Sequence, residues 1–245
     1  MGRAFEYRKA RKMKRWGHMA RVFTKIGKEI EMAVKASGPD PASNLRLRLL
    51  MQNAKAENMP KENVERAIKR ATDKDSADYK EMIYEGYGPH GIAILVETAT
   101  DNTNRTVASV RMYFNKYGGT LGTSGSVGFM FEHKCVFKFK PTAGADLEEM
   151  GLEVSDFGVD EFYAEEGEVT VYAAYESFGQ IQTWIEEKGY ELVSGESVRI
   201  PTDTKELTSE EREAVNKLIE HLEEDDDVTN VYTTMAESEE DDAEE

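Results

Sequence analysis

Seven lysine or arginine side chains stand ahead of Trp16, namely Arg3, Arg8, Lys9, Arg11, Lys12, Lys14 and Arg15, and only Glu6 opposes them. Cations at this density suit one chemistry above others. They neutralise phosphates and release counterions, which gives salt-dependent affinity without reading bases. The pattern continues with Arg21, Lys25 and Lys28, then Arg46 and Arg48, then Lys61, Arg66, Lys69 and Arg70. Trp16 sits among these charges, with Phe5 and Tyr7 before it. Such aromatics either stack on a base or wedge into a groove, or simply pack against neighbouring helices.

Catalytic chemistry has no comparable footing. His18, His90, His133 and His221 are scattered, with no HExxH and no paired metal-ligand spacing. No GxSxG occurs, and Cys135 lies in a strand-like pattern where burial is the ordinary fate of a thiol. The run Gly118-Gly119-Thr120-Leu121-Gly122-Thr123-Ser124-Gly125-Ser126 resembles a phosphate loop at first sight. It lacks the lysine and the strand-to-helix setting that such a loop needs, so a helix-ending turn explains it better. Neither a cofactor nor a metal is expected, and the chain reads as no enzyme.

The net charge of −17 conceals an asymmetry. Residues 1–80 hold 20 basic and 10 acidic side chains, a net of +10, and the remainder carries −27. Opposed halves of this kind point to a polyanionic partner for the basic one. The acidic body does not cancel the basic face, because charges more than about 8 Å apart are screened at physiological salt. No apolar run approaches the roughly 18 residues of a membrane span, and the start has no apolar stretch of a signal peptide. A single cysteine excludes an internal disulfide. A cytoplasmic setting is the resulting expectation.

The elements that must position these charges follow from periodicity. Residues 1–19 offer too few apolar side chains for a buried face, and read as a basic arm that is mobile alone and ordered on a partner. A helical N-terminal domain is expected over 20–78. Its first helix carries Phe23, Ile26, Ile30 and Ala33 at helical spacing and ends at Gly38. Its second has Asp40 as N-cap, Pro41 at the first position and a stripe of Leu47, Leu50, Met51 and Ala54. Its third opens at Pro60 and carries Val64, Ala67, Ile68 and Ala71.

From Tyr79 the period changes to that of strands. Strands are expected at 81–86, 92–98 and 126–131, with a helix at 104–117. Residues 133–200 then read β-α-β-β-α-β, the ferredoxin-like order. A helix at 209–223 and a strand at 228–233 complete the preceding unit. The fold class is therefore α+β: a three-helix bundle and two α+β domains, 79–132 plus 201–235 and the inserted 133–200. The end, 236–245, is acidic and reads as a disordered tail that could shield the arm.

Five ordered blocks give the chain a family likeness. They are Ala42-Ser43-Asn44-Leu45-Arg46-Leu47-Arg48; Ala54 through Arg70; Tyr84-Glu85-Gly86-Tyr87-Gly88-Pro89; Thr100-Asp101-Asn102 with Asn104-Arg105-Thr106-Val107; and Gly118-Gly119 through Gly125-Ser126-Val127. Together they resemble the YebC/PmpR (TACO1) family over about residues 20–235. The resemblance implies three domains, no enzymatic activity and no cofactor. It implies a regulator of gene expression, described for bacterial members as DNA-binding and transcriptional and for other members as acting in translation. Arg46, Arg48, Lys61, Arg66, Lys69 and Arg70 match the family pattern and carry over as contacts. The longer basic stretch before Trp16-Gly17-His18-Met19 departs from it, as does His90 in place of a glycine.

Two partners thus compete for one basic surface, duplex DNA and ribosomal RNA or the ribosome. In the third alternative the acidic α+β body does the work and nucleic acid is incidental. The expected nucleic-acid contacts are Arg8, Lys9, Arg11, Lys12, Lys14, Arg15, Arg21, Lys25, Arg46, Arg48, Lys61, Arg66, Lys69 and Arg70. Membranes and small-molecule substrates are not expected partners.

Overall fold

The computed structural model describes residues 3–73, 76, 78–165 and 167–236, with side chains from residue 19 onward. The tail expected over 236–245 lies outside them from residue 237 onward. The chain packs as two units, the second formed by Phe129–Thr202 and inserted between the two halves of the first.

In the first unit, helix α1 runs over Arg3–Ser37. Its backbone is helical from residue 3, so the stretch read as a separate arm is continuous with the first helix of the bundle. Ile26, Ile30, Ala33 and Val34 form its buried stripe. The helix stops at Gly38, which takes φ +88° while its N–H donates to the Val34 carbonyl at 2.7 Å.

Helix α2 covers Leu45–Ala56 and helix α3 covers Lys61–Thr72. The N-cap of α2 is Asn44 rather than Asp40. Asp40 spends its carboxylate on the Ala42 N–H (2.9 Å) and its carbonyl on Ser43 and Asn44, a local turn that delays the helix. Asn44 then accepts from the Leu47 N–H at 3.0 Å. Its amide also donates to the Ala33 and Gly38 carbonyls, both at 2.8 Å. One buried side chain therefore satisfies both the end of α1 and the start of α2.

The first sheet contains β1 (Lys80–Tyr87), β2 (Ala93–Thr100), the two-residue β3 (Thr120–Leu121) and β8 (Val228–Thr233). Its order is β3-β1-β2-β8, all pairs antiparallel. Helices α4 (Thr103–Lys116) and α7 (Ser209–Glu223) supply Val110, Phe114, Val215, Leu218 and Leu222 to a core with Ile94, Val96 and Tyr84. Gly86 is required in β1, because a Cβ there would lie 2.6 Å from the Thr120 carbonyl and 2.7 Å from the Phe114 ring. His90 takes φ 60° in the tight turn between β1 and β2, a conformation more natural to glycine.

The second unit contains β4 (Phe131–Lys140), α5 (Leu147–Ser155), β5 (Val159–Glu165), β6 (Glu168–Ala174), α6 (Phe178–Glu187) and β7 (Glu191–Pro201). Its sheet order is β5-β6-β4-β7. Cys135, Phe137 and Phe139 alternate inward along β4, and Phe139 packs against Trp184 and Tyr190. The strand expected at 126–131 does not form. The N–H groups of Val127 and Gly128 are taken by a side chain, and β4 begins only at Phe131.

Replacing Asn44 by Ala should lower the unfolding free energy by about 2 kcal/mol, the combined scale of a lost N-cap and a lost buried donor. Urea titration measures it. An unchanged midpoint would mean that water replaces the amide at no cost.

Candidate nucleic-acid interface

The cations of the three helices fall into two groups. Some are tied to internal partners. Arg46 on α2 reaches Glu81 on β1 at 2.7 Å. Arg48 donates to the carbonyls of Pro41 (2.7 Å) and Ala42 (3.0 Å), closing the turn before its own helix. Arg70 on α3 pairs with Glu31 on α1 at 2.9 Å. Glu31 is almost fully buried, and that burial pushes its carboxyl above the ordinary range against the opposing pull of Arg70.

Others are presented outward on α3. Lys61, Arg66 and Lys69 are exposed, and Arg66, Lys69 and Arg70 share a face by their spacing of three and four. Lys61 has the adjacent-turn Glu65 at 3.5 Å, in a contact that water screens. Arg66 donates to the neutral side chain of Asn63 at 2.6 Å, which orients its guanidinium without cancelling its charge. Lys69 makes no ion pair among the described residues. This ridge can bind a run of phosphates.

Helix α1 behaves differently. Arg21 and Lys25 are half-buried and line a shallow cleft with Thr24, Glu223, Asp225 and Asp226. Burial lowers the Lys25 ammonium pKa, with Glu223 pulling it back up and Arg21 adding to the lowering. Lys28, which reads in the sequence as one more surface cation, is buried. It donates to Asp227 Oδ1 (3.0 Å) and to the carbonyls of Asp226 (2.6 Å) and Ala99 (3.2 Å).

Asp227 is the centre of that joint. Its other oxygen accepts from Arg105 (2.6 Å), Thr106 (2.9 Å) and Thr100 (3.1 Å). Burial alone would raise its carboxyl. The bonds from Arg105, Lys28 and Thr106 outweigh burial and hold it down at about 2. The same bond, with a second to Asp101, raises Arg105.

In the glycine-rich run 118–128 the protein supplies its own anion to the backbone N–H groups. Glu85 on β1 points its carboxylate at the N–H groups of Gly125 (2.7 Å), Val127 (2.8 Å) and Gly128 (2.6 Å). Burial raises its carboxyl, and the three donors more than reverse that to leave it below the usual range.

Of the expected contacts, Arg8, Lys9, Arg11, Lys12, Lys14 and Arg15 have side chains outside the described residues. The structure brings Lys61, Arg66, Lys69 and Arg70 together on α3. It places Arg46 and Arg48 on α2 with internal partners, and Arg21 and Lys25 on α1 against acidic side chains. Glu85 and Arg105 stand in the family-like blocks with no role that the sequence assigns, and Asp227 stands in none. Their signal lay in unlike neighbours, since Asp227 closes a run of five acids that reads as solvated surface.

Among the described residues no group of His, Cys, Asp and Glu could hold a metal, and no helix is long and apolar enough to cross a membrane. Family models match in two blocks. One, described as the TACO1/YebC protein N-terminal domain, covers residues 3–74; the other, the TACO1/YebC second and third domain, covers 79–235. A probable transcriptional regulatory protein of Porphyromonas gingivalis is 64% identical, covering 98% of this chain and 99% of that one. Its counterpart in Parabacteroides distasonis is also 64% identical, with both chains covered in full. A solved structure, a conserved hypothetical protein from Aquifex aeolicus, superposes with a TM-score of 0.71 at 35% identity, covering 89% of this chain and 90% of that one.

Asp227→Asn removes the carboxylate and leaves the buried Lys28 cation uncompensated, which should cost roughly 3–5 kcal/mol. Because the native carboxyl titrates near 2 rather than 3.8, its contribution of about 2 kcal/mol is present above pH 4 and fades as pH falls towards 2. Urea unfolding of both proteins should therefore show a stability gap that narrows by about 2 kcal/mol between pH 4 and 2. A gap that stays constant across that window would assign the loss to packing instead.

Proposed function

Because the chain belongs to the TACO1/YebC family, we propose that it is a non-enzymatic, nucleic-acid-binding regulator of gene expression. Its close relatives carry the description of probable transcriptional regulatory proteins, and this reading extends that role to the present chain. It binds DNA through its basic helical region, in the cytoplasm. The observation that carries the reading is the α3 ridge, where Arg66 and Lys69 keep their charges uncancelled on a net acidic chain.

The mechanism is phosphate clamping. Lys61, Arg66, Lys69 and Arg70 run along one short helix, and Arg46 and Arg48 lie on its neighbour. In Arg70 the two functions meet, since its side chain remains 61% exposed while one guanidinium nitrogen pairs with the buried Glu31. A phosphate can approach the open edge without breaking that pair. Arg8, Lys9, Arg11, Lys12, Lys14 and Arg15 belong to the first part of α1 and would add further phosphate contacts. Such contacts fix position and leave sequence preference to a small number of groove contacts. Ribosomal RNA offers the same phosphates in another shape, so a translation role, which the family resemblance also implies, would use the same surface.

Arg66→Glu with Lys69→Glu tests the ridge directly. On mixed-sequence duplex DNA the wild type should lose affinity as salt rises. The variant should bind at least tenfold more weakly, with a salt slope shallower by about 2, close to 0.9 for each lost phosphate contact. Sucrose-gradient sedimentation of lysate, with and without nuclease, separates the two targets. Wild type travelling with ribosomes while the variant stays at the top favours translation. Equal binding and equal sedimentation of both proteins would remove the ridge from the interface.

A further inference from the structure

The corner between α7 and β8 is Glu223-Glu224-Asp225-Asp226-Asp227, five consecutive acids. It does not point away from the basic helices. It lies along α1, with Glu223, Asp225 and Asp226 lining the cleft beside Arg21 and Lys25, and Asp227 bonded to Lys28. A row of carboxylates facing a row of cations is what a nucleic-acid backbone would present to the same helix.

We propose that this corner is an internal stand-in for the phosphate backbone, and that nucleic acid using Arg21 and Lys25 must displace its outer part. The inference rests on the nucleic-acid reading above and adds regulation of the α1 part of the basic region. The corner has a fixed end and a loose end. Asp227 is the fixed end, buried and held by four side chains, Lys28, Arg105, Thr100 and Thr106. Glu223 and Asp226 are the loose end, with exposed side chains that line the cleft beside Arg21 and Lys25, and the attraction of Glu223 to Lys25 is of the screened, weak kind. A polyanion with one charge per phosphate competes well against such contacts and poorly against the buried one. Displacement therefore peels the outer acids from Arg21 and Lys25 while Lys28 and Asp227 keep the helix attached.

Other charges face the cleft as well. Arg21 and Glu29 act on Lys25 from α1 itself, and Glu223 acts on it from α7. Tyr113 on α4 donates to Asp225 at 3.3 Å, which steadies that carboxylate and assigns it to the fixed end.

The test uses the full chain with Glu223→Gln and Asp226→Asn combined, leaving Asp225 and Asp227 in place. The control is Glu206→Gln with Glu210→Gln, which changes net charge equally. Glu210 stands at the other end of α7, about 20 Å of helix from Glu223. The corner variant should bind mixed-sequence 20-base-pair duplex DNA roughly three- to tenfold more tightly than wild type, the range two exposed charge contacts return. Its salt slope should steepen by up to about 1.8 as two more phosphates are engaged. The gain should vanish when Arg21→Gln and Lys25→Gln are added. Without any nucleic acid, amine-reactive labelling of Lys25, read by mass spectrometry, should be faster in the corner variant than in wild type.

An equal gain in the control would reduce the effect to net charge and overturn the proposal. So would a gain that survives loss of Arg21 and Lys25, or unchanged labelling of Lys25. Wild type that binds neither this DNA nor purified ribosomes defeats the nucleic-acid reading itself. Wild type that binds while the corner variant binds equally defeats only the inference.

Discussion

Asp227 carries two cations on one carboxylate, and the first unit depends on that arrangement. Lys28 comes from the helical bundle, Arg105 from the start of α4, and the acid from the strand-entry corner. Three elements distant in sequence thus converge on a single buried anion. A lone carboxylate would be costly at this depth, and a lone ammonium equally so. Together, with two threonine hydroxyls and two backbone carbonyls completing the shell, each satisfies the other. The bundle is consequently not a separate bead on a linker. Its first helix is tied to the sheet by an interaction that tolerates no partial version.

That constraint sorts the remaining charges. Once Lys28 is committed to Asp227, Arg70 to Glu31 and Arg46 to Glu81, a helical region rich in cations has far fewer left over than its composition suggests. The leftover charge concentrates on α3, where Arg66 meets only an uncharged asparagine. A similar logic governs the glycine-rich run. Its N–H groups could have met an anion from outside, yet Glu85 fills that place and converts a mobile-looking sequence into a pinned loop. In both places an internal carboxylate takes the position that a phosphate would otherwise suit.

Elements with strong periodicity were legible in the sequence because their burial needs only local spacing. The stripes of α1, α2 and α3 and the β-α-β-β-α-β order of the second unit are of this kind. The boundaries that misled did so through side-chain competition. Asp40 and Asn44 are both good caps, and only the amide of Asn44 can also donate to the end of α1. Residues 126–131 alternate like a strand, but a strand needs free N–H groups, and Glu85 holds two of them at Val127 and Gly128. The basic surface was legible as a region and not as a set of contacts. Lys25, Lys28 and Lys69 have the same chemistry in the sequence. The corner between α7 and β8, nearly 200 residues away, reaches Lys25 and Lys28, whereas Lys69 makes no ion pair among the described residues.

On the proposed nucleic-acid reading, packing and binding draw on the same cations. Lys28 shows the extreme of one use and Lys69 the extreme of the other, while Arg21, Lys25 and Arg70 stand between them with a partner on one side and solvent on the other. For these intermediate residues, a stronger internal contact makes the folded unit tighter and the surface less available to an outside polyanion. A weaker one does the reverse. A chain that is acidic as a whole can still present a basic surface, because the distance over which salt screens charge is shorter than the body is wide. What sets affinity is then the handful of carboxylates placed within reach of each cation, and the exposed end of the Glu223–Asp227 corner is where such placement is easiest to change without disturbing the buried anchor.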